Sequence, residues 1–263
     1  MLAADTLLPV DRTLGVVLAG LLVAAMGVAA FAHLVHDDGR GHARAAALAG
    51  LRATVQLGGV SLVIGWVIGA VPTLLGFVLL MYAVAVRTAG HRITGNRTWW
   101  WAAAPIAAGV GPALVVVLLT GLVPLHGITL VPVAGILIGG AMTVTVLAGR
   151  RSLEELHLRR GEVEAALSLG LPPREARLEI VRTAAAGALL PGLDQTRTVG
   201  LVTLPGAFVG MLLGGASPLV AGAVQLFVLV ALMLVQTVAV AVVLELVARG
   251  RLYRVRWHAI EGE

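Results

Sequence analysis

Cysteine is absent, which excludes disulfides, Cys-rich zinc sites and thiol catalysis. Lysine is absent too, so all 19 basic residues are arginine. Charge of either sign is scarce: 13% of the 263 residues are charged and 59% are hydrophobic. A soluble domain is about half apolar and about a quarter charged. With a mean hydropathy of +0.96, this chain reads as an integral membrane protein. A GxxxxGK loop followed by Ser or Thr is missing, so the chain does not hydrolyse ATP itself. Neither a Ser/His/Asp set nor paired carboxylates occur in the apolar runs, which argues against an intramembrane enzyme. The net charge of +5 does not point to nucleic acid, because the arginines are spread over several short loops rather than gathered in one stripe.

Long charge-free runs are what is present. Residues 13–36 fit one helix. Residues 53–86 are long enough for two, divided at Pro72, and residues 98–149 for two more, divided within 124–132. Residues 198–244 fit a last pair, divided at "GGASP", 214–218. At about 20 residues per crossing, the reading is an all-α polytopic membrane protein of about seven transmembrane helices. Residues 183–191 are too short to cross alone. The opening "MLAADTLLPVDR" is acidic, and the run after it is too long for a signal peptide, so it is expected to remain as the first span.

Arginine placement sets the orientation. Arg40, Arg44 and Arg52 follow the first run, and Arg87, Arg92 and Arg97 the third. Seven arginines from Arg150 to Arg182 follow the fifth, and Arg249, Arg251, Arg254 and Arg256 the last. The alternate loops hold none. The expectation is an outside N-terminus, an inside C-terminus and one permease domain over 1–263 with a cytoplasmic segment at 150–182. Glycine-rich stretches such as "GILIGGAM" read as close helix packing. Trp99–Trp101 read as an interfacial anchor.

The cytoplasmic segment holds "EAALSLGLPPREARLEI", 164–180. The fifth span is expected to continue as a helix to Gly170, where Pro172 and Pro173 stop it. Pro173 suits the first turn of a second helix, with Leu178, Val181, Ala185 and Leu189 on one face. The pattern is similar to the cytoplasmic motif of ABC importer permeases, in Glu164, Ala165, Ala166, Gly170 and Ile180. It lacks that motif's Leu-Pro ending, since Val181, Arg182 and Thr183 follow. The resemblance implies a coupling helix for an ATPase subunit, formed by Glu164, Ala165, Ala166, Leu169, Gly170, Pro172 and Pro173.

The stretch beyond, "DQTRTVGLVTLPG", resembles the FetB (YbbM) family of ABC permeases, bacterial relatives of plant aluminium-tolerance permeases. Asp194, Arg197, Gly200, Pro205 and Gly206 fit its recurring pattern, as do Gln225 and the Arg52/Gln56 pair. Ile136 stands where the family has Met, and Gly140 where it has Asn. The resemblance spans roughly residues 45–250. It implies a permease exporting iron or another metal ion across a bacterial cytoplasmic membrane. The implied partners are two ABC ATPase subunits carrying ATP and Mg and a second copy of this chain. The chain itself needs no cofactor. An importer permease and, less favoured, an ion-coupled carrier remain alternatives.

On spacing alone, Asp194 and Arg197 pair on one helical face. Pro205-Gly206 kinks or breaks a helix. Arg52 and Gln56 share a face, with Glu245 a candidate partner for Arg52. No metal site is readable. The best local candidate is His33, His36, Asp37 and Asp38, in a loop.

Overall fold

A computed structural model describes residues 11–34, 41–120 and 127–254, without the side chains of 127–129. It divides into two compact units, residues 1–66 and 67–263. The first holds helix α1 (Arg12–Phe31) and helix α2 (His42–Val67). Asp11 caps α1, its carboxylate accepting from the Thr13 and Leu14 amides at 3.0 and 3.1 Å. Such a cap satisfies amides that the first turn leaves without partners.

The second unit begins with α3 (Val71–Ile93), which has a proline in its first turn. A tight turn over Arg97–Ala102 leads into α4 (Ala103–Leu119). Next come α5 (Gly127–Leu158), α6 (Arg160–Ser168), α7 (Pro173–Ala186), α8 (Leu190–Thr198), α9 (Gly206–Leu213) and α10 (Pro218–Ala248). Among the described residues, the apolar core is helical throughout.

Helices α5 and α10 form its centre, packing on each other while α3 and α4 close around them. One cluster joins Val86, Ile106, Val110, Leu137, Ile138 and Val235. Another, at the far end of α5 and α10, gathers Val144, Leu156, Val163, Ile180, Val243 and Val247. Close approach depends on small residues, as the glycine content implied. A Cβ on Gly109 would lie 2.6 Å from the Val235 carbonyl oxygen of α10.

Among the described residues, six helices are long and apolar enough to cross a membrane. Five correspond to the first five expected spans and the sixth to the last. The exception lies at residues 198–213, read from sequence as a crossing helix. That passage is broken: α8 ends at Thr198, an irregular link follows, and α9 is only eight residues long. Eight residues reach about 12 Å, well short of a hydrocarbon core of about 30 Å. Hydropathy alone could not reveal this, because the run is uniformly apolar.

Trp99–Trp101 also differ from a simple lipid-facing anchor. Trp99 stacks on His91 with ring centroids 5.4 Å apart, and the Arg251 guanidinium lies 4.8 Å from the Trp101 ring. Asn96 Nδ2 donates to the Tyr253 carbonyl at 2.7 Å, and Arg254 Nε to that of Ile93 at 2.9 Å. The turn therefore clasps the segment that follows α10, and Trp100 alone of the three is exposed.

Gly109→Ala should lower the melting temperature in detergent. Overpacking against a backbone oxygen costs about 1–3 kcal/mol, which outweighs a helix-propensity gain of up to about 1 kcal/mol. Gly111→Ala is the control: a Cβ there meets nothing within 4 Å, so its melting temperature should hold or rise.

Candidate functional site

Helix α5 runs past the apolar core and breaks at Arg159, which has φ −106 and ψ 32. Arg159 Nε donates to Glu162 at 2.7 Å, and that bond pulls the Glu162 carboxyl below its ordinary pKa. Helix α6 then ends in a Schellman turn. The Gly170 amide donates to the Leu167 carbonyl at 2.9 Å, and the Leu171 amide to that of Ala166 at 3.1 Å. Gly170 takes φ +89, which L side chains rarely adopt. Pro172 is extended, and α7 begins at Pro173. Gly170 and the two prolines thus make the turn in the way their positions suggested.

Glu164 has a partner within the chain: Arg160 Nε donates to it at 2.7 Å, one helical turn away. Ala165 is exposed, and Ala166 packs against the core. Leu167, Leu169 and Leu171 stay exposed around the turn, Leu169 the most. An apolar tip framed by charged side chains results.

The second helix of the pair is anchored to α10. Its Ala176, Leu178, Ile180, Val181 and Ala185 are buried, the last two and Leu178 being three of the four expected on its inner face. At its start, Arg174 forks onto Glu245 of α10, with Nε and Nη2 donating at 2.8 and 2.7 Å. Arg249 Nε donates to the same carboxylate at 2.5 Å. Arg177 reaches the Ala248 carbonyl at 3.4 Å. The partners Glu245 takes are therefore Arg174 and Arg249, where sequence had offered Arg52. Arg52 and Gln56 lie one turn apart on α2, in the other unit, and both are exposed.

From α7 the chain descends antiparallel to α10. Arg174 meets Glu245, Gly192 abuts Gln236, and Phe208 comes within 4.0 Å of where a Gly222 Cβ would stand. Asp194 and Arg197 form the expected pair on α8, at 3.5 Å, both well exposed. Beyond Thr198 the link folds on itself. The Thr198 carbonyl accepts from Val202 at 2.9 Å, and the Gly200 amide donates to Thr203 at 2.8 Å. Gly200 has φ +83. Pro205 precedes α9 in extended conformation and offers no side-chain cap, so Pro205-Gly206 marks a break rather than a kink.

Gln225 and Gln236 are buried on α10, and the Gln225 Oε1 has no hydrogen-bond partner among the described residues. The Gln236 side chain fills the space left by Gly192, and Leu232 fills that left by Gly140. Sequence reasoning singled out Gln225 but missed Gln236, although a second amide inside a charge-free run was a usable signal. It also missed Arg174, because a pair 71 residues apart leaves no local pattern.

Among the described residues, no three His, Cys, Asp or Glu side chains gather to hold a metal ion. Of the loop candidate, His36, Asp37 and Asp38 lie outside the described residues.

Long apolar helices, a charged helix pair at one end and a broken passage describe a multi-pass helical membrane protein. The chain belongs to the family described as Uncharacterised protein family (UPF0014), which it matches over residues 16–252. It is 40% identical over 162 residues to the UPF0014 membrane protein STAR2 of Oryza sativa subsp. japonica, covering 61% of this chain and 57% of that one. It is 39% identical over 166 residues to Protein ALUMINUM SENSITIVE 3 of Arabidopsis thaliana, covering 63% and 58%. It is 30% identical over 139 residues to the Probable iron export permease protein FetB of Escherichia coli strain K12, covering 53% of each. The aligned part is thus a little over half the length of these relatives. No solved structure matches the chain.

Removing either side of the Arg174–Glu245 fork should speed amide hydrogen exchange across α7, Pro173–Ala186. The double variant Arg174→Ala/Glu245→Ala should exchange no faster than the worse single one, because both remove the same contact.

Proposed function

We propose that this chain is the permease subunit of an ABC transporter, working as one domain. It forms the path across the bilayer and docks an ATPase subunit that supplies ATP and Mg. Two copies of the chain act with two ATPase subunits. The observation that carries this reading is the α6–α7 pair: an exposed Leu167/Leu169/Leu171 tip, set by the Gly170 turn and fastened through α7 to the end of α10. An apolar tip with a charged frame suits a cleft on a soluble partner.

Arginine placement supports an outside N-terminus and an inside C-terminus in a bacterial cytoplasmic membrane. Six continuous crossings and one made in pieces restore the odd number that such an orientation needs. The cargo is a metal ion, with iron first, because one relative is named a probable iron export permease. The passage offers it oxygen donors, from carbonyls and amides, rather than a fixed set of side-chain ligands. ATP binding draws the two ATPase subunits together, moves the α6–α7 pairs and, through Glu245, shifts α10.

The ATPase should co-purify with the chain, and iron should raise ATP hydrolysis in liposomes. Leu169→Arg should weaken ATPase association by on the order of tenfold or more, the loss typical of a central apolar anchor. It should leave the melting temperature of the permease alone unchanged, since Leu169 is exposed. Transport by the purified chain in a proton gradient, with no ATPase present, would show this reading to be wrong.

A further inference from the structure

The broken passage carries charge at a depth where lipid cannot tolerate it. Gly192 abuts Gln236, two and a half turns before Glu245. That places α8 about 13 Å along α10 from its charged end. The charge-free part of α10, residues 218–244, is about 40 Å long, more than the roughly 30 Å hydrocarbon core. Asp194 and Arg197 therefore sit within the bilayer, and the link at 199–205, between the contacts at Gln236 and Gly222, sits near its middle.

Within the second unit, residues 67–263, both features are uncovered. The Asp194 and Arg197 side chains are 67% and 71% exposed, and Leu201 is 93% exposed. No residue of α9 is buried. Charged side chains at this depth face protein or a water-filled cavity, never acyl chains. Non-helical backbone obeys the same restriction, because lipid cannot satisfy its carbonyls and amides.

The geometry points to a second copy of this chain as the cover. Leu190, Asp194 and Arg197 recur at helical spacing as one exposed stripe of α8; beyond it Leu201 and Leu204 of the link and Leu213 of α9 are exposed too. The stripe bears one charge of each sign, three residues apart. It is self-complementary under a two-fold axis: Asp194 of each copy faces Arg197 of the other, as an isologous contact requires. The two links then shield each other, and their carbonyls and the ion pairs lie along the axis between the copies. The broken passage is open within residues 67–263 and completed by the copy. This rests on the permease reading and adds which face the copies share.

The test uses two differently tagged full-length chains, one Asp194→Arg and the other Arg197→Asp. Each variant breaks the pair inside its own helix, and only the mixed assembly restores opposite charges between copies. Co-expressed, mixed pairs recovered through both tags should exceed like pairs by on the order of tenfold. Equal recovery of mixed and like pairs would overturn the inference. A second measurement exploits the absence of cysteine. Leu201→Cys should be joined between copies by a short bifunctional maleimide, whereas Val84→Cys, exposed on α3, should not. Labelling of the Leu201→Cys thiol by a lipid-soluble maleimide without a dimer band, or its cross-linking to a cysteine placed on α1 or α2 of the same chain, would likewise overturn it. ATPase pull-down by the unaltered chain separates the two ideas. If that binding holds while the copies fail to pair through this face, only the interface is wrong. If that binding fails, the permease reading falls.

Discussion

A hydrocarbon core offers no hydrogen bonds, so every amide, carbonyl and charge at that depth must find its partner within protein. This constraint shapes the chain from end to end. It makes the apolar runs helical, confines most arginines to the ends of helices, and turns the one irregular passage into the most informative part of the molecule. Where α8 stops at Thr198, its carbonyl takes amides from the link, and Gly200 closes back on Thr203. These bonds satisfy part of the link's backbone. The remainder, with Asp194 and Arg197, forms an exposed surface of the second unit.

Burial of apolar surface gives helices no reason to associate in lipid, so contact must come from close packing and polar pairing. The chain uses both at one place. Gly109 brings the α4 backbone against the Val235 carbonyl, Gly140 of α5 admits Leu232 of α10, and Gly192 before α8's charged pair admits the side chain of Gln236. In the resembling family the position of Gly140 carries an Asn. Here the atom nearest to where a Gly140 Cβ would stand is Leu232 Cδ1 of α10, with Gln236 Nε2 3.4 Å away.

What could be read from sequence was whatever depends on neighbouring residues. The long runs, Gly170 with Pro172 and Pro173, the Asp194/Arg197 spacing and the break at Pro205-Gly206 are all local, and the structure has them. The length of α9 was not legible, because hydropathy measures composition and is blind to where backbone hydrogen bonding lapses. Residues 198–213 are as apolar as a true crossing. The Arg174 partner of Glu245 was not legible for a different reason. An ion pair between distant segments depends on which helix folds back beside which, and a charge-sparse chain offers several candidates for each carboxylate. The tryptophans resembled an interfacial anchor by position, yet the turn that holds them is built around Tyr253, Arg251 and Arg254, far along the chain.

Glu245 ties these levels together. It stands where α10 leaves its apolar run, and it binds Arg174 of the charged α6–α7 pair and Arg249 one turn on. An exposed ion pair usually contributes little to stability, so the fork is poorly explained as a stabilising device. Its geometry suits transmission better. A bidentate guanidinium–carboxylate contact fixes direction as well as distance, and Ala176, Val181 and Ala185 seat α7 in the same core as Val243 and Val247. A push on the Leu169 tip therefore reaches α10 through a rigid helix rather than a loop. From α10 it reaches Gln236, Gly192 and the broken passage, within two and a half turns of the carboxylate. In the proposed transporter that is a short mechanical route, and it ends at the irregular backbone that separates the two sides of the membrane.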